Sequence, residues 1–467
     1  MRPALASFPL ALSLLLGAAA ADALPAVQIG VDFTGPTSAQ SRSVPPDTMG
    51  AAGSEHVVAM LNGRYSAFRK SDGTLVATST LNEFWTDAGL PTTRSYDPRI
   101  LYDAETDRWF AISAEDANST QAAFLVAVSN GSDPTGGWTA FRIDADATDR
   151  TWGDFPMLGI DADAVYISSP AFPVNGPDLP GGNTFVVLPK NDLLAPAPTI
   201  ANATVFANQS LAQVGFQPQA VVNLDGDGMP AKFYAGTLSF LGQIQRSTID
   251  GPIDAPTFSG GGFIAVDALP EPPDAQQPGP KRNLDGGDSR FSGNLVLQNG
   301  VTWAVQAVSV DGRAAVRWIQ LDPENDIVLD SGVITAEGLD LIYPSIAVND
   351  FDQIVIGMSG SGEAMFPSAY AVVGDVVDGV TNFGDLLLLA AGTDSYQNSA
   401  TRNRWGDYSA TVLDPSDPRA FWTFQEFALE DNTWAVRITQ LVLVPEPGTL
   451  ALLASGLTLV ATRRRNR

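Results

Sequence analysis

The stretch YDPRILYDAETDRWFAIS, residues 96–113, reads as two strands joined by an acidic turn. Residues 99–102 are mostly apolar, 103–108 polar and 109–113 apolar again, which is the pattern of a hairpin. The same phrase returns in altered spelling at residues 46–61, 154–168, 216–236, 290–305, 343–359 and 407–424. Trp152-Gly153-Asp154-Phe155-Pro156 is echoed far downstream by Trp405-Gly406-Asp407-Tyr408-Ser409. Pro, Asp or equivalent markers fall at positions 47, 97, 154, 218, 290, 344 and 407, with gaps of 50, 57, 64, 72, 54 and 63 residues.

Four-stranded repeats at this spacing predict an all-β chain folded as a β-propeller. One blade cannot bury both faces of its sheet, so each must lean on its neighbours and the ring must close. Seven blades are expected, six or eight lying within the looseness of the repeats. Amphipathic helical stretches are almost absent, which argues against a parallel α/β sheet. A β-sandwich array would not explain the recurring Asp-Pro or Gly-Asp opening. The last strand, residues 434–444, is expected to complete the first blade.

Composition narrows the function classes. Of 467 residues, 45% are hydrophobic, enough for a core. Lys and Arg number 26 against 52 Asp and Glu, a net charge of −26, which disfavours nucleic acid as a partner. With no cysteine there is no disulfide, thiolate metal site or cysteine nucleophile. The single histidine, His56, all but closes off a Ser-His-Asp triad or a multi-histidine metal site. It precedes the apolar run 57–61 and reads as a strand-edge residue.

The two ends carry targeting signals. Residues 1–23 have a basic start at Arg2, an apolar centre at 10–16 and small residues at 18–23, the layout of a secretory signal peptide. Residues 24–443 are the expected propeller domain. Residues 444–467 hold Pro445, Glu446 and Pro447, an apolar segment at 450–461, and Arg463, Arg464, Arg465 and Arg467. This order of parts resembles the PEP-CTERM sorting signal of exopolysaccharide-producing Gram-negative bacteria. The resemblance implies processing by an exosortase near the Pro-Glu-Pro triplet. It also implies membrane contact only through the short C-terminal helix before processing, and a secreted or cell-surface location. A permanent C-terminal anchor is the alternative.

Several loops suggest sites. Asn223-Leu224-Asp225-Gly226-Asp227-Gly228 places oxygens at alternate positions with a glycine for the turn. It resembles the calcium loops of integrin-type propeller repeats, which makes Asn223, Asp225 and Asp227 metal candidates. Ala231 stands where that family has another acid, and a plain Asp-Gly turn is the simpler reading. Asp103, Glu105 and Asp107 form a second acidic alternation, read either as an ion site or as a solvated hairpin tip. Residues 132–138, Ser-Asp-Pro-Thr-Gly-Gly-Trp, resemble an Asp-box turn, in which an aspartate caps a hairpin and an aromatic packs beneath it. The Pro-rich insert at 268–287 reads as too polar for a core.

Asp97, Asp154 and Asp407 sit at what read as equivalent repeat openings and are candidates to line one face of the channel. Capping of strand ends is their simpler role. Arg94, Arg99, Arg290, Arg402 and Arg404 are available, but nothing in the sequence ties them together. No two of the 52 acids stand out as a glycosidase pair. Trp109, Trp152, Trp303, Trp318, Trp405 and Trp422 recur within strands and are assigned to packing between blades. The expected role is binding or structural, within extracellular polysaccharide or biofilm matrix. A polysaccharide hydrolase or lyase with acids at the channel is the alternative. Carboxylates converging with arginines would favour the enzyme, and a funnel of apolar and amide groups would favour binding.

Overall fold

The computed structural model describes residues 24–444. Residues 1–23, expected as a signal peptide, and the expected sorting-signal residues Pro445, Glu446, Pro447, Arg463, Arg464 and Arg465 lie outside the described residues. Among the described residues no helix is long and apolar enough to cross a membrane.

The chain is all-β, built from successive antiparallel meanders. The first unit runs through Met49–Ala52, His56–Leu61, Arg64–Arg69 and Leu75–Ser79. The second comprises Ser95–Asp103, Arg108–Glu115, Ala123–Ser129 and Trp138–Asp144. The third comprises Met157–Ile160, Ala164–Pro173, Gly182–Pro189 and Thr204–Ser210. The fourth holds Gln219–Asn223, Ala231–Ala235, Gln243–Asp250 and Thr257–Ala265. The fifth holds Leu295–Gln298, Val301–Val310, Arg313–Asp322 and Ile327–Ile334. In the sixth, Asp340–Val348, Gln353–Gly362 and Met365–Val377 are edged by Val380–Phe383 and Leu387–Ala390. The seventh has Ala410–Asp414, Asp417–Leu429 and Thr433–Val444.

The seventh unit takes its fourth strand from the other end of the described chain. Ala26–Thr37 pairs antiparallel with Thr433–Val444, from Ala26 opposite Val444 to Thr37 opposite Ala435. The sequence reading had the direction reversed: the N-terminal strand completes the last unit, and the last strand does not complete the first. Val444 is a paired strand residue, so the sheet runs one position past the expected boundary at 443.

The first strands of the units are neighbours in chain order. Met49–Ala52 lies against Ser95–Asp103, which lies against Met157–Ile160. Ile160 then pairs in parallel with Val222, and Val221–Asn223 with Leu295–Leu297, merging units three to five into one sheet. Asp340–Val348 lies against Leu295–Gln298 and Ala410–Asp414, and Ala410–Asp414 lies against Met49–Ala52. Gly159 allows the parallel approach, because a Cβ there would stand 2.5 Å from that of Ala220. The sheets pack face to face through apolar side chains buried on both faces of the middle strands, as in Arg108–Glu115 and Ala123–Ser129. Trp109, Trp405 and Trp422 are fully buried and Trp303 and Trp318 nearly so. Trp152 is half-buried and stacks on Phe172 at 5.2 Å.

The turn at 132–138 has the features expected of it. Asp133 Oδ1 accepts from the Thr135 backbone N–H at 2.8 Å, and Trp138 packs on Tyr65 and Phe84. The Pro-rich insert departs from expectation. Ala275 and Leu284 pair with each other and are fully buried in the largest core cluster. Proline density masked two apolar anchors that the rest of the insert leaves room to bury.

Candidate functional site

Five residues at the head of the innermost strands share a left-handed backbone: Asp47 (φ 50°), Asp97 (φ 49°), Phe155 (φ 48°), Gln217 (φ 53°) and Tyr343 (φ 51°). Proline follows four of them, at Pro98, Pro156, Pro218 and Pro344. Such a conformation is costly for a residue with a Cβ, so its recurrence marks one structural position repeated along the chain. It also corrects the alignment of the channel candidates. Asp97 corresponds to Phe155, whereas Asp154 and Asp407 each precede the aromatic, Phe155 or Tyr408.

The three aspartates are nevertheless brought together. Asp97 Oδ2 accepts from the Phe155 backbone N–H at 3.1 Å, and the Asp97 and Asp154 carboxyl groups lie within hydrogen-bonding reach of each other. Asn62 bridges to the first unit: its Nδ2 donates to Asp47 Oδ2 at 2.6 Å and its Oδ1 accepts from the Asp97 N–H at 2.7 Å. Asp407 accepts from Arg404 Nη2 at 2.5 Å. Thr48 Oγ1 donates to Glu426 Oε1 at 2.7 Å.

Burial raises the pKa of Asp47, Asp97 and Asp154, and neighbouring carboxylates raise it further: Asp407 first for Asp47 and Asp97, Asp97 first for Asp154. Two carboxyls in contact away from water cannot both ionise, so the Asp97–Asp154 pair holds a proton. Burial pushes Glu426 up to about 8.

Arg99 closes the centre. It is fully buried, with its guanidinium 3.7 Å from the Tyr408 ring centroid and 5.0 Å from that of Phe155. It donates to the Ser292 carbonyl at 3.0 Å and lies against the sulfurs of Met49 at 3.7 Å and Met157 at 3.2 Å. Parts of units one, two, three and seven, and the segment leading into unit five, thus meet on one side chain. Arg290 sits between the rings of Phe155 and Phe216, both at 5.2 Å, and pairs with Asp288 at 2.6 Å. Arg402 pairs with Asp285 at 2.5 Å. Arg94 is elsewhere, paired with Asp116 at 3.0 Å.

A lid of two segments seals this end. Gln277 Oε1 accepts from the Tyr396 N–H at 2.8 Å, the Asp285 N–H donates to the Asn403 carbonyl at 2.9 Å, and the Tyr343 hydroxyl donates to the Asp285 carbonyl at 2.9 Å. The void left beside Arg290, Asp407 and Tyr343 is about 20 Å³, room for a single water.

Toward the other end of the same strands the molecule is open. A cavity of about 420 Å³ is lined by residues that include Ala51, Leu101, Ile160, Val222, Val296, Ala347 and Thr411, so the innermost strand of each unit contributes to its wall. Asn294 also lines it, and its amide oxygen is buried without a hydrogen-bond partner. Gln298 Nε2 donates to Asp350 Oδ1 at 2.7 Å. Two rim acids are neutralised, Asp103 by Lys190 at 2.7 Å and Asp414 by Lys70 at 2.6 Å.

The candidate metal loop borders this cavity. The Asp225 N–H donates to Asn223 Oδ1 at 2.9 Å, and Asn223 Nδ2 donates to the Asp227 carbonyl at 3.1 Å. Asp225 accepts from the backbone N–H groups of Asn299 at 2.6 Å and Gly300 at 2.7 Å, while Asp227 is exposed. The second acidic alternation is engaged in its own turn: Asp103 Oδ2 accepts from Thr106 Oγ1, and Asp107 from the Tyr102 hydroxyl, both at 2.7 Å. Among the described residues no group of three or more His, Cys, Asp or Glu is arranged to hold a metal ion.

No family model matches the chain, and no curated protein matches it. Among solved structures it is similar to Synechocystis apocarotenoid oxygenase, at 13% identity and a TM-score of 0.29, over 81% of this chain and 64% of that one. The chain therefore spans less than two thirds of the oxygenase's length. It is also similar to the endo-arabinase from Bacteroides thetaiotaomicron, at 12% identity and a TM-score of 0.33, over 61% of this chain and 95% of that one. A third is Trypanosoma rangeli sialidase, at 11% identity and a TM-score of 0.36, over 84% of this chain and 58% of that one.

Proposed function

We propose that the seven units form one closed seven-bladed β-propeller and that the protein binds glycan in the open cavity. On this reading it is exported and processed by an exosortase at Pro445-Glu446-Pro447, and it acts in the extracellular polysaccharide matrix. The supporting observation is the cavity itself, to which the first strand of every unit contributes wall residues. Its apolar floor and amide groups suit the faces and hydroxyls of sugar rings.

The alternative, a hydrolase or lyase, needs an acid and a base within hydrogen-bonding distance of the bond they break. The carboxylates that converge with arginines lie under the lid and behind Arg99, out of reach of a polymer. On this reading the protein captures polymer and does not cleave it. Affinity electrophoresis of the purified protein through gels containing the host's exopolysaccharide tests this. Retardation with the polymer intact is expected, and Asn294→Trp, which fills the cavity from a half-buried position, should abolish it. Clearing of the polymer along the track would support the enzyme instead, and unaltered mobility of the wild type would count against glycan capture.

A further inference from the structure

The two ends of the described chain leave the molecule at one corner. In the seventh unit the innermost strand, Ala410–Asp414, is followed outward by Asp417–Leu429, Thr433–Val444 and Ala26–Thr37. Thr433 stands opposite Leu429, and the adjoining Asn432 accepts through Oδ1 from the Gln397 N–H of the lid at 3.1 Å. Thr433–Val444 therefore starts at the sealed end. At its other end Val442 stands opposite Ala420, which brings Val444 level with Pro418, a wall residue of the open cavity. One strand spacing, about 5 Å, separates the two. Val444 is 38% exposed, and its partner Ala26 is exposed as well. The end of the expected signal peptide and the start of the expected processing triplet are thus both carried beside the cavity mouth.

Beyond Val444 the sequence runs Pro445-Glu446-Pro447-Gly448-Thr449, then the apolar segment 450–461, then Arg463, Arg464, Arg465 and Arg467. An apolar run that ends in clustered arginines suits a bilayer with anionic headgroups, where the apolar side chains leave water and the guanidinium groups meet phosphate. Reach then decides which end of the body meets that bilayer. The chain from Val444 to Leu450 extends at most about 22 Å. The 12-residue strand Thr433–Val444 is about 36 Å long. The linker is too short to run back along that strand, so the sealed end is not the one held against lipid.

We propose that, while residues 445–467 are attached, the open end is turned toward the membrane surface and its cavity is screened from polymer. Cutting at Pro445-Glu446-Pro447 frees the mouth. The proposal rests on the reading of the tail as a processed sorting signal and of the cavity as a glycan site. It makes processing the step that turns capture on: polymer is bound by the released protein and not by the tethered precursor.

The chain has no cysteine, so single labels report one position each. Ala104 lies on the cavity wall and Ala400 on the lid, and both are exposed. Full-length Ala104→Cys and Ala400→Cys, labelled with bimane, are bound to vesicles of phosphatidylcholine and phosphatidylglycerol that contain a spin-labelled headgroup. Quenching at 104 should exceed that at 400 severalfold. A protease site replacing residues 445–447 then allows release, and the released protein should retain severalfold more fluorescent exopolysaccharide than the vesicle-bound protein. Equal quenching, or stronger quenching at 400, would overturn the orientation, and full-length protein that stays off the vesicles would overturn lipid as the partner of the tail. Equal retention before and after release would overturn the screening. A rise in retention on cleavage in detergent, without vesicles, would overturn it in favour of the tail itself filling the cavity. No retention in any state would overturn the glycan reading, with the labels still deciding the orientation.

Discussion

The two ends of the units' first strands have opposite chemistry. At the N-terminal ends of the innermost strands Asp47, Asp97, Asp154, Asp407 and Glu426 are gathered in the dry interior around a buried arginine. Toward the C-terminal ends the walls are alanine, leucine, valine and amide, with Asp103, Glu105, Asp225, Asp350 and Asp414 among the lining, and the space is open. The difference teaches that acids and arginines can converge where a lid covers them and leave the open end of the same strands to other side chains. Here the ions face one another and a lid, whereas the open end carries its acids, Asp103, Glu105, Asp225, Asp350 and Asp414, around an apolar wall. Removing a side chain should therefore affect stability at the sealed end and binding at the open end.

The largest effect is expected at Arg99. Its charge lies near Asp47, Asp97 and Asp407, and burial lowers its own pKa. Arg99→Met keeps much of the volume but leaves those acids without their central cation. Breaking a buried charge set by removing one member costs about 3–5 kcal/mol. A melting or urea-unfolding comparison should show that loss; stability within about 0.5 kcal/mol of wild type would mean that Arg99 is not what holds the acids together.

Glu426 gives the next effect, and it depends on pH. Its folded pKa, pushed up to about 8 by burial, lies above the ordinary value of 4.5. The folded state thus holds the proton more tightly, and the stability this contributes is fully present below pH 4.5 and is lost as pH rises through 8. Asp47, Asp97 and Asp154 are raised in the same direction and add to the slope. Wild-type protein should lose stability between pH 5 and 9. Glu426→Gln, which carries no proton to lose, should flatten that loss, by at most about 1.4 kcal/mol for each pH unit between the two values. Parallel profiles for the two proteins would remove Glu426 from the account.

How much of this was legible follows from range. The hairpin phrase and the paired Trp-Gly-Asp openings are local, so the all-β character and the recurring meanders could be read from spacing. Asp97, Asp154 and Asp407 were read as channel residues and do meet, although Asp97 stands one position out of register with the others. Asn62 was missed because it lies in the turn between Leu61 and Arg64 and reaches the cluster only when units one and two stand side by side. Glu426 was missed because its partner Thr48 is 378 positions away. Arg99 did leave a signal: a cation within the otherwise apolar run Pro98-Arg99-Ile100-Leu101, on a strand that must be buried. The strand Ala26–Thr37 did leave a signal, the alternation Val27, Ile29, Val31 and Phe33, but its partner strand lies about 400 positions away at Thr433–Val444.

The smallest effect on stability belongs to the open end and gives the sharpest contrast. Asn294 has a buried amide oxygen with no partner, so the fold gains nothing from it. Replacing an unsatisfied buried polar group by an apolar one is close to neutral or mildly stabilising. Asn294→Ala should therefore change unfolding free energy by no more than about 0.5 kcal/mol, against several for Arg99→Met. The same substitution should weaken retention of the protein in polysaccharide gels, because an unpaired amide facing the cavity is a group held ready for a ligand hydroxyl. A loss of more than about 1 kcal/mol in stability would show that Asn294 supports the fold after all. Unchanged retention would show that the ligand does not reach it, and either result would erase the division of labour between the two ends.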